Sequence, residues 1–111
     1  MDITKADWKL FQEKLPKWQE AYMGRLNKEY IELLNGGGLA SEKFWELSKR
    51  IREDKHNPGV QLRIEKKETD MNIVHLILNE VISLEDLTEF SPELQTEVSK
   101  LVERFKAGPE F

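Results

Sequence analysis

The chain has 111 residues, 39% of them hydrophobic and 34% charged, which is one globular domain's worth of chain and too little for two ordinary cores. With 17 Lys and Arg against 21 Asp and Glu the net charge is −4, which argues against a protein whose main work is coating phosphate backbones. The lack of cysteine excludes disulfides, thiolate catalysis and Cys-based zinc or iron–sulfur sites, and no apolar run approaches the length of a membrane span.

A single domain over 1–111 is expected, ordered from about 4 to 106 with 107–111 as a tail. The first 35 residues read as helix. Trp8, Phe11, Leu15, Trp18, Tyr22, Leu26, Tyr30 and Leu33 recur at spacings of three and four on one face. Thr4, with Asp7 three residues on, suits the N-cap. Pro16 cannot donate to the carbonyl of Gln12, so the stretch is expected to be kinked or broken there, although the apolar phase runs through without a slip. Asn35-Gly36-Gly37-Gly38 ends it. A further helix follows, with Ser41 as its expected N-cap and Phe44, Leu47, Ser48 and Ile51 on one face beside Trp45; Asn57-Pro58-Gly59 breaks it.

Residues 60–66 alternate like a strand, Val60, Leu62 and Ile64 against Gln61, Arg63 and Glu65. A lone strand has no partner for its backbone, so a short helix is favoured over a strand paired across a dimer. Thr69 or Asp70 then caps a very apolar helix running to Ile82, interrupted only by the polar stripe Asn72, His75 and Asn79, and such a helix belongs at the centre of the core. Ser83 with Asp86 caps a short turn through Leu84 and Leu87, and Ser91-Pro92 opens a final helix with Leu94, Val98, Leu101 and Phe105 inward. The expected architecture is an all-α, compact bundle of five to six helices.

Catalytic signatures are missing. The serines sit mostly where helix caps belong, only His56 and His75 could act as imidazole bases, and no nucleophile-elbow, zincin or Walker pattern occurs. Gly36–Gly38 lacks a preceding strand and a following Gly-Lys-Ser/Thr, so it reads as a linker. A helical metal site needs Glu-x-x-His pairs, but position 72 is Asn and Glu80 does not share the face of His75. Glu85, Asp86 and Glu89 lack the spacing of a calcium loop. No enzyme activity, cofactor or metal is expected. The aromatic set Trp8, Trp18, Trp45, Phe11, Phe44, Tyr22 and Tyr30 could line a pocket but at helical spacing is expected to be core, with Trp8 and Trp18 the first to be exposed if a groove is left.

Charge is unevenly distributed: residues 1–40 are neutral, 41–67 carry +3, 68–103 carry −8 and the remainder +1. The simplest expectation is that the basic middle lies against the acidic third. The alternative is that one of them meets a partner, through Lys49, Arg50, Arg52 and Lys55 on one side or Glu85, Asp86 and Glu89 on the other. A helix-turn-helix over Ser83–Phe105 would lead with Glu93 and Glu97, which would repel phosphates, and the basic stretch 49–67 is interspersed with acids, so nucleic acid is an unlikely partner.

The segments Trp18-Gln19-Glu20-Ala21-Tyr22-Met23, Lys43–Ile51, Asn57-Pro58-Gly59-Val60 and Leu84–Ser91 resemble a family of small uncharacterised proteins of Gram-positive bacteria, over about residues 7–104. Some such sequences carry the label multidrug transporter, from which this chain departs in having no membrane span. The resemblance implies a small bacterial helical protein and transfers no catalytic residue. The opening Met1-Asp2-Ile3-Thr4-Lys5 lacks the apolar stretch of a signal peptide, so a cytoplasmic location is expected. The functional expectation is a non-enzymatic protein-interaction or regulatory module, pairing with another protein or with itself as a homodimer; the alternative is a nucleic-acid-associated regulator using residues 49–67.

Overall fold

In the computed structural model, which describes residues 1–108, Thr4 caps α1 as expected: its Oγ1 accepts from the Asp7 amide at 3.1 Å. The helix then runs unbroken from Lys5 to Asn35. Pro16 lies inside it, and the expected division into two helices does not occur. Pro16 and Gln12 are both exposed, so the carbonyl left without a donor faces water, while buried Leu15 keeps the chain in phase. Four α-helices are formed, not five or six: α1, α2 (Ala40–Asp54), α3 (Thr69–Leu78) and α4 (Pro92–Ala107), with 3₁₀ turns at Lys66–Glu68 and Leu84–Leu87. The predicted all-α class holds. Of the predicted tail, residues 109–111 lie outside the described residues, and α4 itself continues to Ala107.

Residues 61–65 are neither the favoured helix nor a strand. They form an extended strap in which Leu62 and Ile64 are half-buried against the core while Gln61, Arg63 and Glu65 face solvent. The alternation is that of a chain lying on one apolar surface, which needs no ladder. α3 stops at Leu78, short of the expected Ile82. The Glu80 amide donates to Ile77 O and the Val81 amide to Leu76 O, a Schellman ending with Glu80 in the left-handed region at φ 60°. α2 begins at Ala40, ahead of the expected Ser41 cap, because Leu39 takes the cap position and its amide donates to Glu42 Oε2 at 3.3 Å. The expected Thr69 or Asp70 cap is not formed either, since both lie inside α3 and Glu68 holds its cap position, while the Ser83 and Ser91 caps are as predicted. Asp86 accepts from the Ser83 amide at 2.8 Å, and Ser91 Oγ accepts from the Leu94 amide at 3.3 Å.

The core unites the first half of α1 with α3, α4 and the Leu84–Leu87 turn. Phe11, Ile73, Val74, Leu76, Leu87, Leu94 and Val98 are fully buried there, and α3 is its centre. Trp8 and Trp18, expected to be the first exposed, are half-buried against it. Buried Asp7 locks α1 to α4, accepting from the Ser91 amide at 3.0 Å and from Ser91 Oγ at 2.5 Å. This unit is the body.

The rest departs from compactness. The radius of gyration is 16.8 Å and the extents are 52 × 39 × 22 Å, whereas a compact domain of this length would have a radius of about 13 Å. The second half of α1 leaves the body and folds back only against α2, forming a two-helix arm. Its base is held by two loops gripping α1. The Gln19 side chain donates to Pro58 O at 3.0 Å, Gly59 packs against the Tyr22 ring, and Arg25 donates to Glu80 O at 2.7 Å and Val81 O at 3.2 Å. No helix among the described residues is long and apolar enough to cross a membrane.

Candidate protein-interaction surface

α2 contributes no buried residue at all. Lys43, Leu47, Arg50 and Asp54 form the half-buried stripe that meets α1. Lys43 Nζ donates to Leu34 O at 3.2 Å, Tyr30 donates its hydroxyl to Asp54 Oδ2 at 2.5 Å, and Arg50 lies 3.6 Å from Glu29 and 3.7 Å from Asp54. The Arg50 guanidinium also sits over the Tyr30 ring, 5.6 Å from its centroid, a cation–π contact. Burial and the Asp54 hydrogen bond push the Tyr30 hydroxyl up to about 12, and burial followed by the Asp54 charge raises Tyr22. The arm is thus held by a polar seam more than by an apolar one.

One turn-step around α2 from that seam lie Phe44, Ser48, Ile51 and Lys55, and the matching step around α1 carries Asn27, Ile31 and Leu34. In an antiparallel pair these two stripes emerge on the same side. Asn27, Ile51 and Lys55 accordingly line one groove of about 350 Å³ together with Met23 and Tyr30, and Phe44, Leu47, Ser48 and Ile51 line an adjoining one of about 360 Å³. Phe44 is 62% exposed and Trp45 66%, the two rings meeting edge-on at 4.9 Å. Ile31, Leu34, Leu39 and Ile51 are also exposed. At about 200 Å² for each aliphatic and 250 Å² for each aromatic side chain, these fractions leave roughly 700 Å² of apolar surface on the arm, of which Ile31, Leu34, Phe44 and Ile51 place about 430 Å² on the groove side, the size of the ~300–600 Å² patch that often marks a functional surface. Glu29, Glu42, Glu46 and Glu53 fall on the opposite side by phase.

The residues singled out from charge are not brought together. Lys49, Arg52 and Lys55 are exposed on the arm, whereas Arg50 belongs to the seam. Glu85 and Asp86 are in the Leu84–Leu87 turn on the body; Asp86 caps it, a Ser83 hydrogen bond holds the Glu85 carboxyl below its ordinary range, and Glu89 pairs with Lys14 at 3.1 Å. Among the described residues no ion pair joins 41–67 to 68–103: the strap with Leu62 and Ile64 lies against the body as expected, through apolar contacts, whereas basic α2 stands off it on the arm. Phe44 and Trp45, expected in the core, are instead the most prominent feature of the surface. A signal existed in the sequence: Ile31 and Leu34 fall off the main apolar stripe of α1 and define a second face.

A concavity of about 610 Å³ lies on the body between Arg25, Glu80, Ser83, Glu85, Asp86 and Lys106. Its charges are of both signs, Arg25 is already held by backbone carbonyls, and Ser83 has a carboxylate neighbour but no imidazole. His75 is exposed beside the Phe105 ring at 6.1 Å. No group of three His, Asp or Glu placed to hold a metal occurs among the described residues. Comparison with protein-family models, curated proteins and solved structures finds no match to this chain.

Proposed function

We propose that the protein is a non-enzymatic protein-interaction module whose docking element is the α1–α2 arm. The observation that carries this reading is the exposed apolar face of the arm, formed by an amphipathic α2 that has no buried residue. Exposing Phe44 and Trp45 to water costs free energy that a covering partner would recover. Arg52 and Lys55 at its edge act as a charged rim, the usual complement to an apolar centre. The charge-based surfaces proposed from sequence thereby become secondary to the apolar one. The nucleic-acid reading has less support, since Arg50 is held by two carboxylates and Lys67 lies 3.7 Å from Glu65.

The test is comparative capture from cell extract with the immobilised chain and with Phe44→Glu/Ile51→Glu. Loss of specific binding in the variant, with unchanged helix content by circular dichroism, supports the reading. Identical capture by both chains overturns it.

A further inference from the structure

We infer that the apolar face of the arm is covered by the same face of a second copy of this chain, the two arms running antiparallel to close a four-helix bundle. This inference rests on the arm being an interaction surface. Three features of the arm point to a second copy. The first is area. The roughly 430 Å² of apolar surface on the groove side of the arm matches the apolar share, about 56%, of the ~800 Å² that each partner contributes to a stable interface. The second is layering. A pair of helices apolar on one side and charged on the other buries its apolar side only against another layer, and an identical layer supplies that with matched length and shape.

The third is charge, which also sets the direction. Lys55 and Arg52 line the base of the apolar face, with Asp54 beside Lys55, whereas the charges at the tip, Glu42 and Lys43, are engaged with the Leu39 amide and the Leu34 carbonyl. A parallel two-fold would set the two Lys55 ammonium groups side by side. The antiparallel two-fold separates them by about 20 Å, at 1.5 Å per residue over twice seven residues. Ser48, near the middle of α2, then faces its own mate across the axis, where its small side chain permits close approach. Phe44 falls level with the partner's Arg52, one residue from the partner's Ile51, and enters the groove of about 360 Å³ that those two residues line. Each copy fills the other's groove in the same way, as an isologous contact requires.

The experiment combines light scattering with thiol cross-linking, for which the lack of native cysteine leaves a clean background. At roughly 100 µM the chain should have the mass of a dimer, and Phe44→Glu/Ile51→Glu should raise the dissociation constant at least about a hundredfold. With a short bismaleimide, Ser48→Cys should link to itself, Lys55→Cys should not, and a mixture of Lys55→Cys and Ser41→Cys should yield the mixed dimer. Self-linking of Lys55→Cys would overturn the antiparallel arrangement. A wild-type monomer at that concentration would overturn the second copy as occupant, including when the monomer binds a different protein or sediments with anionic phosphatidylglycerol vesicles. A dimer untouched by the double substitution would overturn both this inference and the reading of the arm on which it rests. Because α2 has no buried residue, the substitutions leave the body's core intact, which circular dichroism verifies.

Discussion

Asp7→Ala should be among the most destabilising polar substitutions in this chain. Asp7 is only 4% exposed, yet its carboxylate receives two hydrogen bonds from Ser91, the residue that caps α4. Hydrogen bonds to a charged group contribute about 1.5 kcal/mol or more each, and a carboxylate at a helix N-terminus adds about 0.5 kcal/mol. The variant also leaves the Ser91 amide without its acceptor. Part of the loss is offset because a buried charge no longer has to be desolvated. The net expectation is a loss of about 2–3 kcal/mol, or roughly 10–15 °C in Tm for a chain of this size. Urea unfolding followed by circular dichroism at 222 nm measures it, and the cycle with Ser91→Ala separates the pair from its surroundings. A coupling energy below about 0.5 kcal/mol would refute the view that this contact joins α1 to α4.

Glu80→Gly should stabilise the fold by about 0.5–1 kcal/mol, since Glu80 holds the left-handed position that ends α3 and glycine occupies it without steric cost; an unchanged or lower urea midpoint would contradict this. Gly59→Ala should cost at least about 2 kcal/mol, because its new methyl would meet the Tyr22 ring at 2.3 Å and Val81 at 2.7 Å. Absorbance at 295 nm should show both tyrosines titrating above the ordinary value of 10.0 in the folded chain, with Asp54→Asn lowering Tyr30. Because the folded hydroxyls hold their protons more tightly than the unfolded ones, their contribution to stability is complete below about pH 10 and is lost above it, that of Tyr30 as pH rises through about 12. Iodide should quench a component of tryptophan fluorescence that disappears in Trp45→Phe, since Trp8 and Trp18 are half-buried and Trp45 is not.

Local chemistry was readable wherever a side chain acts on its own backbone. Thr4 and Ser91 were identifiable as caps because the hydroxyl and the amide it serves are three residues apart, and Ser83 because Asp86, three residues on, accepts from its amide. The apolar run of α3 was identifiable as core because no arrangement of it leaves enough polar surface for solvent. What could not be read was the destination of an amphipathic face. The stripe Phe44, Leu47 and Ile51 has the same periodicity whether it meets the body or projects from it, and that depends on where α1 points after Arg25. Residues 60–66 failed for a related reason. An extended strap on an apolar surface and a half-buried strand share one alternation, and only the neighbouring backbone distinguishes them. The ending of α3 was misjudged because Glu80 adopts a conformation that its residue type disfavours.

A single helix serves as both wall of the body and spine of the arm. α1 passes from one to the other as one continuous helix with a single glycine, Gly24, at the crossing, where Arg25 and Tyr22 clamp it. The arm is therefore a cantilever. A load placed on its tip is resisted by the bending stiffness of one continuous helix and by the Asp7–Ser91 lock at the far end of that helix, not absorbed by a swivel. Whatever docks on the arm inherits a fixed bearing toward the body, so lengthening or shortening α1 by one residue between Tyr22 and Tyr30 should turn the docking face by about 100° about the helix axis and redirect the body relative to its partner.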